Sequence, residues 1–474
     1  MTLDPYPPMR RLFPVLLVLA GCPGSQNPGR DSDAGTADAS PDGGPATCAS
    51  AQPTCSATIT THVAGTNVVL RGDFATDGWT NGIPMTPSAG GGFEATLPAN
   101  DQQIIVYKLF VDGVWMADPD NPRKSPDGFG DFNSVVRIDC DHCPARPAMD
   151  WRDAVMYFIM IDRFADGDPS NNATVDGAEF PGQYQGGDFA GIQQKIDAGY
   201  FDQLGINTIW ITSPLDNTHT SELGSDGHRY SGYHGYWPKD ETLVDSHFGT
   251  EAELKTMIDH AHQHGIQILI DYVMNHVTLD SPTYIANQSW FWPNDNGSGG
   301  NCVCGQGCPV FNTVCWFDTF LPTFNMLDGD ARRWSVGNAI QWAKDLGIDG
   351  FRLDAVKQVE TVWFTDLRAR VQGEVAWDQK FYMVGETFDG NRDLIKSYVN
   401  PDTMLDGQFD FPLRGQVLAT LLHRDGQMSD LTNFVASNDG YYILGLNGSV
   451  WAFGDARYFG SLSGTWAVDL MQAP

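Results

Sequence analysis

The sequence predicts an α/β protein: a (β/α)8 barrel of the TIM type, incomplete at its C-terminus, preceded by a small β-sandwich. From Trp151 onward, short apolar runs alternate with amphipathic helical stretches, which favours a parallel sheet covered by helices. Across residues 57–138, short alternating runs separated by Gly, Pro and Asn indicate antiparallel strands. The length of 474 residues leaves room for two or three units, one of them a large barrel.

The N-terminus carries two arginines followed by an apolar run from Leu12 to Ala20. This run is too short to cross a bilayer and is typical of a signal sequence. The ending LAGC resembles a bacterial lipobox, so we predict that residues 1–22 are a lipoprotein signal peptide with Cys22 as the lipidated residue. An ordinary cleaved secretion signal is the alternative. Either way we expect an exported protein, a cell-envelope lipoprotein held by a lipid anchor or a secreted one.

Three further segments follow. Residues 23–47 consist mainly of Gly, Ser, Asp, Pro and Ala, which predicts a disordered linker. Residues 48–145 form the predicted sandwich domain and residues 146–474 the predicted barrel. The alternation of predicted strands and helices is interrupted across residues 279–326 by a stretch rich in Gly, Asn and Cys. We interpret it as an insertion between a strand and its helix, and such loops at a barrel mouth shape binding sites.

The composition limits the classes of partner. A formal net charge of −31 and a pI near 4.4 argue against nucleic acid and anionic membrane surfaces. A neutral ligand is compatible with this charge. Aromatic residues make up 12% of the chain, with 14 Trp, which suits stacking against sugar rings, although large cores also use Trp. We expect a monomer.

The chain has nine cysteines, and eight remain when Cys22 is set aside. They fall into two clusters of four: Cys48, Cys55, Cys140 and Cys143, then Cys302, Cys304, Cys308 and Cys315. In an exported protein, even clusters predict disulfides, with the pairing inside each cluster left open. The second cluster also resembles a four-cysteine zinc site, which an oxidising compartment makes the weaker alternative.

The most informative stretch is GFRLDAVKQ, residues 350–358. It follows a helical run closed by Gly347, so residues 348–353 predict a buried strand with Asp354 at its carboxyl end, where barrel enzymes keep their chemistry. Arg352 and Asp354 are two residues apart and share one face of the strand. The guanidinium favours the ionised carboxylate, which can act as a nucleophile. A structural ion pair is the alternative.

Five motifs together resemble the α-amylase family of glycoside hydrolases. DYVMNH at residues 271–276, GFRLDAVKQ, and MVGET with Glu386 look like its first, second and third signature regions. YHGYW at residues 233–237 and IDRFADGDPSNN at residues 161–172 resemble further landmarks. The resemblance covers about residues 151–442 and implies action on α-1,4-linked glucans such as starch, glycogen and maltodextrins.

The sandwich segment resembles the isoamylase-type early-set domain found in front of many starch-acting enzymes. The resemblance rests on VVLRGDF, DGW, YKLFVDGVWMADPDNP and NSVV. In that family the module packs on the catalytic domain and sometimes binds glucan. Trp79 and Trp115 are candidate sugar platforms, but a buried packing role is the favoured interpretation for each.

The resemblance implies a retaining mechanism with Asp354 as nucleophile and Glu386 as general acid, then base. Such a pair lies about 5 to 5.5 Å apart, with one carboxyl ionised and the other protonated. The apolar run FYMVG before Glu386 is expected to help raise the pKa of that residue. No stretch matches the family's fourth signature region cleanly. We expect Asp455 to be the third catalytic carboxylate, and Asp439 or neither residue is the alternative. A non-catalytic glucan-binding lipoprotein and a transglycosylase are therefore the competing hypotheses.

Further roles carry over from the same motifs. His234, Tyr236 and His276 are expected to contact the sugar ahead of the cleavage point. Lys357 is expected on the leaving side. Arg352 lies beside the nucleophile, and Asp271 is expected to hold Arg352.

The resemblance also implies Ca²⁺. The loop that includes DGDPSNN offers oxygen ligands, and it carries over the proposed ligands Asp166, Asp168, Asn171, Asn172, Gly186 and Asp188. A solvated turn is the alternative. Asn275 matches a ligand of a second calcium site, but the family's usual His after the lysine is Gln358 here, which weakens that second site.

Overall fold

The computed structural model describes residues 54–140, 148–224, 226–377, 379–423, 426–436, 441–444, 450–453 and 470–472. The predicted signal peptide and linker lie outside these residues. So do five residues named above, which are Cys22, Cys48, Cys143, Asp439 and Asp455.

Two antiparallel sheets form the N-terminal domain. One sheet consists of Thr54–Thr61, Phe93–Asn100 and Thr86–Pro87, in that order. The other orders Ile83–Pro84, Val68–Gly72, Ile104–Val111, Phe132–Arg137 and Lys124–Pro126, with Val114–Met116 also paired to Ile104–Val111. Alternate residues point into a shared core, as Ala95, Leu97 and Ala99 do. This confirms the predicted β-sandwich, and a disulfide joins Cys55 to Cys140.

Six parallel strands follow, each paired with the next along the chain. They are β1 (Met156–Ile159), β2 (Thr208–Ile211), β3 (Gln267–Tyr272), β4 (Gly350–Leu353), β5 (Tyr382–Gly385) and β6 (Gly407–Gln408). Every residue of β3 and β4 is buried, as expected where a parallel sheet is covered on both faces. The consecutive parallel order confirms the predicted barrel architecture within the described residues.

Helices cover the outside of this sheet. The principal ones are α1 (Phe189–Asp197), α2 (Glu251–Gln263), α3 (Gly329–Leu346), α4 (Thr361–Arg370), α5 (Arg392–Ser397) and α6 (Phe411–Val417). Their ends follow from local sequence. Thr250 and Glu253 form a capping box at the start of α2, and Gly347, with φ of 68°, ends α3 as predicted.

Shorter elements fill the connections. The short helices are Ile161–Phe164, Tyr200–Leu204, Pro282–Ala286 and Met428–Ala436. Trp151–Asp153, Pro169–Asn171, Gln288–Trp290 and Val356–Gln358 are 3-10 turns, and Val371–Val375 and Leu418–His423 are π-helical. Four small sheets pair Leu215–Asn217 with Pro238–Val244, Glu222–Leu223 with Arg229–Tyr230, Val303–Cys304 with Gly307–Cys308, and Tyr441–Leu444 with both Val450–Phe453 and Leu470–Gln472.

The segment of residues 279–326 lies between β3 and α3, as predicted for an insertion. Disulfides join Cys302 to Cys308 and Cys304 to Cys315. These pairs confirm the disulfide prediction for this cluster, so the zinc alternative is wrong.

Polar contacts join the sandwich to the barrel. Arg123 donates hydrogen bonds to the carbonyl oxygens of Gln372, Gly373 and Ala376 at 3.0, 2.8 and 2.7 Å. Ser125 Oγ donates to the buried Glu374 carboxylate at 2.5 Å. The π-helical turn after α4 is thus the main sandwich-facing part of the barrel.

Among the residues that the structure describes, no helix combines the length and apolarity needed to cross a membrane.

Candidate active site

The candidate site lies at the carboxyl ends of β3, β4 and β5. Asp271 pairs in register with Arg352 on the neighbouring strand. Glu386 is the first residue after β5, and Asp354 the first after β4. The parallel order of the strands therefore brings these side chains to one edge of the sheet, as the sequence predicted for a barrel site.

Arg352 is the cation that joins the acidic groups. Its Nη1 lies 2.8 Å from Asp271 Oδ1 and 2.7 Å from Asp354 Oδ1. Its Nη2 lies 2.6 Å from Glu386 Oε2. Arg352 and Asp271 are both buried, at 4% and 0% exposure, so these contacts are poorly screened by solvent. One guanidinium therefore fixes the two proposed catalytic carboxylates and a buried third one.

Main-chain hydrogen bonds hold the two strand ends together. Glu386 N donates to Leu353 O at 2.9 Å, and Val356 N donates to Glu386 O at 2.9 Å. Between them, Ala355 adopts a positive φ of 49°, a conformation that non-glycine residues rarely adopt and that concentrates at functional sites. The backbone turn after the proposed nucleophile is thus tied directly to the backbone of the proposed acid.

The surroundings of Glu386 oppose its ionisation. Burial raises the pKa of this carboxyl, the Arg352 guanidinium counteracts the rise, and the neighbouring Asp354 reinforces it. A raised pKa keeps a carboxylic acid protonated, which a general acid requires. This direction agrees with the prediction, and Asp354 adds to the rise whereas Arg352 opposes it.

Two histidines and a tyrosine lie beside these carboxylates. His276 Nε2 lies 2.9 Å from the carbonyl oxygen of Tyr236, whose hydroxyl donates to Asp271 at 2.8 Å. The ring of His234 stacks on that of Tyr236 with centroids 5.7 Å apart. Burial lowers the pKa of His234 to about 4 and also lowers that of His276. Both imidazoles are therefore neutral at neutral pH and suited to hydrogen-bond an uncharged ligand.

Lys357 follows the turn after Asp354 and is also buried. Its ammonium donates to the carbonyl oxygen of Phe388 at 2.6 Å and to Asp389 at 3.1 Å. The sequence analysis did not single out Phe388 and Asp389. Their position directly after Glu386 was the available signal, because residues after a barrel strand line the same mouth.

The predicted calcium loop gathers its residues around the Asp188 carboxylate. That carboxylate accepts hydrogen bonds from the backbone N–H groups of Gly167, Asp168 and Gly191 at 3.0, 2.8 and 2.6 Å. Asn172 donates to Asp166 Oδ2 at 2.7 Å. The six predicted ligands therefore belong to one compact loop system.

Two observations bear on whether this loop can hold a cation. The side-chain oxygen of Asn171 is buried and has no hydrogen-bond donor among the described residues. Gly186, at a φ of 89°, leaves room for Asn172, whose Oδ1 would lie 2.5 Å from a Cβ at that position. A cavity of about 220 Å³ opens beside these residues. Oxygen ligands of this kind fit Ca²⁺, although no cluster of three acidic, His or Cys side chains is found in the described chain.

The side chain of Asn275, the predicted ligand of the second calcium site, lies against Gln358 and His276. Its Nδ2 donates to the carbonyl oxygen of Gln358 at 2.8 Å, and its Oδ1 lies 3.1 Å from His276 Nδ1. Both polar atoms of the amide thus have protein neighbours.

On the sandwich, Trp79 and Trp115 are exposed at 37% and 42%. Their ring centroids are 6.4 Å apart, and the guanidinium carbon of Arg71 lies 5.0 Å from the Trp115 ring centroid. The favoured prediction of buried packing for these two residues is therefore wrong.

Comparison with known proteins adds two family matches. Residues 158–296 match the family model described as the catalytic domain of alpha-amylase. Residues 55–143 match the family model described as the glycogen recognition site of AMP-activated protein kinase.

Individual relatives point the same way. The chain is 28% identical over 396 residues to the periplasmic alpha-amylase of Escherichia coli strain K12, covering 65% of this chain and 56% of that protein. It is 33% identical over 263 residues to the cyclomaltodextrin glucanotransferase of Bacillus sp. strain 1011, covering 52% and 36%. Among solved structures, the gamma-CGTase from alkalophilic Bacillus clarkii matches with a TM-score of 0.50 and 26% identity, covering 61% of this chain and 44% of that one. The chain thus spans about a third to just over half of these relatives.

Proposed function

Because this chain belongs to the α-amylase family, we propose that it is a retaining glycoside hydrolase that cleaves α-1,4-linked glucans such as starch, glycogen and maltodextrins. The observation that best supports this proposal is the shared contact of Arg352 with Asp354, at 2.7 Å, and with Glu386, at 2.6 Å. A buried cation between an ionised and a protonated carboxyl suits the two roles that retention requires.

In the first step, an Asp354 carboxylate oxygen attacks the anomeric carbon while the bond from that carbon to the glycosidic oxygen breaks. Glu386 donates its proton to the departing oxygen. In the second step, the Glu386 carboxylate takes a proton from water, whose oxygen attacks the same carbon and releases Asp354. Two inversions give net retention of configuration.

The neighbouring side chains have supporting roles in this proposal. His234 offers a neutral Nε2–H to a sugar hydroxyl, because its Nδ1 accepts from the backbone N–H of Tyr236. His276 donates through Nε2 to the carbonyl oxygen of Tyr236 and is proposed to position that residue, whose ring face the sugar meets. Lys357 lies beside Phe388 and Asp389, so it is proposed to contact the sugar that leaves. Asp455 is the proposed third carboxylate, with Asp439 as its alternative, and both lie outside the described residues.

We also propose that the sandwich binds glucan through Trp79 and Trp115. Their exposure and closeness form an apolar surface, with the two ring planes inclined at 39°, and each exposed ring can stack on a sugar ring. The match of this segment to a glycogen recognition family supports the same role.

Ca²⁺ is proposed at the loop of Asp166, Asp168, Asn171, Asn172, Gly186 and Asp188. When bound, the ion would supply a positive charge that fixes this loop, and it takes no part in bond breaking. The unpartnered, buried Asn171 oxygen supports this assignment, because a buried acceptor without a donor is costly unless another group satisfies it.

Export with a lipid anchor at Cys22 is proposed from the lipobox-like LAGC sequence. The disulfides of the described residues support an oxidising compartment, and one relative is named as periplasmic. We propose a monomer, which sedimentation can test.

Transfer to a second sugar is the alternative outcome of the same covalent step. It is supported by the similarity to proteins named cyclomaltodextrin glucanotransferases. The two differ only in whether water or a sugar hydroxyl attacks the intermediate, so the products distinguish them. A glucan-binding protein without catalysis is the third outcome.

The deciding experiment measures release of reducing ends from soluble starch by the full chain, with Asp354→Asn and Glu386→Gln as matched variants. We expect activity in the parent and losses of several orders of magnitude in both variants. Cyclic or elongated products without new reducing ends would favour transfer. Starch binding with no turnover in the parent would contradict the enzyme proposal.

A further inference from the structure

We propose that the insertion of residues 279–326 positions His276. The side chains of Gln358 and Glu360 hold the insertion at the barrel mouth, and its own two disulfides keep it closed behind the imidazole. The effect on catalysis rests on the proposed function above, whereas the holding contacts can be tested without it.

Two side chains just beyond the Asp354 turn reach the insertion directly. Gln358 Nε2 donates to the carbonyl oxygen of Val310 at 3.0 Å. Glu360 accepts from the indole N–H of Trp292 at 3.0 Å and from the backbone N–H of Met326 at 3.2 Å. Both anchoring residues are buried, at 4% and 8% exposure, so these hydrogen bonds are costly to leave unmade.

The disulfides also connect the insertion to His276, which is a predicted sugar-binding residue. Cys315, which is bonded to Cys304, accepts a hydrogen bond through its carbonyl oxygen from Thr323 Oγ1 at 2.9 Å. Thr323 in turn forms an antiparallel bridge with His276. The ring of Phe317 packs edge-on against His276, with centroids 5.2 Å apart. The loop that these disulfides close therefore packs against the imidazole of His276.

Backbone hydrogen bonds join residues 275–279, where the insertion begins, to residues 320–324, where it returns to the barrel, and their amides serve as specific reporters. Val277 N donates to Pro322 O at 3.2 Å, Leu279 N to Phe320 O at 3.1 Å and Phe324 N to Asn275 O at 2.9 Å. These three amides exchange with solvent only when the insertion separates from the barrel mouth. Their exchange rates report the holding contacts whether or not the protein turns over glucan.

The test compares amide exchange in the full chain and in a variant with all four insertion cysteines changed to Ser. Cys55→Ser/Cys140→Ser is the matched control that removes a disulfide from the sandwich. We expect exchange at Val277, Leu279 and Phe324 to accelerate about tenfold or more in the insertion variant and to stay unchanged in the control. Cys302→Ser/Cys308→Ser alone serves as a milder variant if the larger change prevents folding.

A second arm changes the anchoring side chain of Gln358. Gln358→Leu should accelerate exchange at the reporters about threefold to tenfold, as for loss of one hydrogen bond, and Gln341→Leu on the surface of α3 should leave them unchanged.

Activity is the separate readout. With a starch-active parent, opening the disulfides should lower kcat/KM about tenfold or more by displacing His276. An inactive parent with the expected exchange pattern would refute the proposed function and leave the holding contacts supported. Disulfide loss or Gln358→Leu that leaves the reporter amides unchanged would overturn the present proposal.

Discussion

Arg352 Nη2 lies 2.6 Å from Glu386 Oε2, while Nη1 of the same guanidinium lies 2.7 Å from Asp354 Oδ1. The proposed nucleophile and the proposed acid therefore share one cation. That cation favours ionisation of Glu386, so burial and the charge of Asp354 are what keep the proton on Glu386.

Replacing Asp354 by Asn should lower the pKa of Glu386. The substitution removes the negative charge that disfavours ionisation, while Arg352 remains in place. Carbon-13 NMR of labelled Glu carboxyl groups can follow the titration, with Glu386→Gln identifying the signal. An unchanged or higher pKa of Glu386 in Asp354→Asn would contradict this coupling.

The pH profile of the parent should reflect the same group. The acid must be protonated, so kcat/KM falls as the pH rises through the Glu386 pKa. Because that pKa is raised from 4.5, the alkaline limb should lie above pH 4.5. Measurement on a maltooligosaccharide across the acidic and neutral range tests this, and a limb at or below 4.5 would remove Glu386 from the acid role.

Arg352→Met should destabilise the fold by about 3–5 kcal/mol, because it leaves Asp271 and its neighbours as buried carboxylates without a cation. The free energy of unfolding in urea is the measurement. Arg152→Met is the matched control, since Arg152 pairs with Asp150 on the surface and its loss should change stability far less. Equal effects of the two substitutions would count against a buried network.

The two histidines His234 and His228 should change the pH dependence of stability in opposite directions. The pKa of His234 is lowered from 6.5 to about 4 by burial, so its contribution to stability is lost as the pH falls from 6.5 towards 4. The pKa of His228 is raised by its hydrogen bond to Glu179, so its contribution is lost as the pH rises through that raised value. The free energy of unfolding in urea can be measured at several pH values for His234→Gln and for His228→Gln. The slope of this free energy against pH should differ from the parental slope in opposite directions for the two variants. Slopes that shift together would refute this assignment.

Trp79→Ala and Trp115→Ala should each weaken binding to insoluble starch about threefold to tenfold, because each removes one stacking face. Turnover of a short maltooligosaccharide should stay near the parental rate. Phe129→Ala is a control, since Phe129 is also exposed on the sandwich but lies against Arg333 of the barrel. Starch binding unaffected by either Trp substitution would exclude this surface as a glucan site.

Much of the site followed from strand periodicity and chain order. Arg352 and Asp354 share a face because strand side chains alternate, and Asp271 meets Arg352 because their strands pair in parallel register. The closing of α3 at Gly347 followed from the conformational freedom of glycine.

Contacts between distant segments could not be obtained in this way. The hydrogen bonds from Gln358 to Val310 and from Trp292 to Glu360 join residues 48 and 68 positions apart, and no local pattern encodes such pairs. The exposure of Trp79 and Trp115 also depends on how strands pack into sheets, since a tryptophan in a sandwich suits the core and the surface equally well.

The most direct test of the central claim is to trap the covalent intermediate. The full chain is incubated with a fluorinated α-glucosyl fluoride that forms the glycosyl-enzyme quickly and releases it slowly, then digested and analysed by mass spectrometry. The account predicts one added glycosyl mass on the peptide that carries Asp354, and none in Asp354→Asn. Starch hydrolysis accompanied by labelling of a different residue, or by inversion of the anomeric configuration in the product, would contradict it.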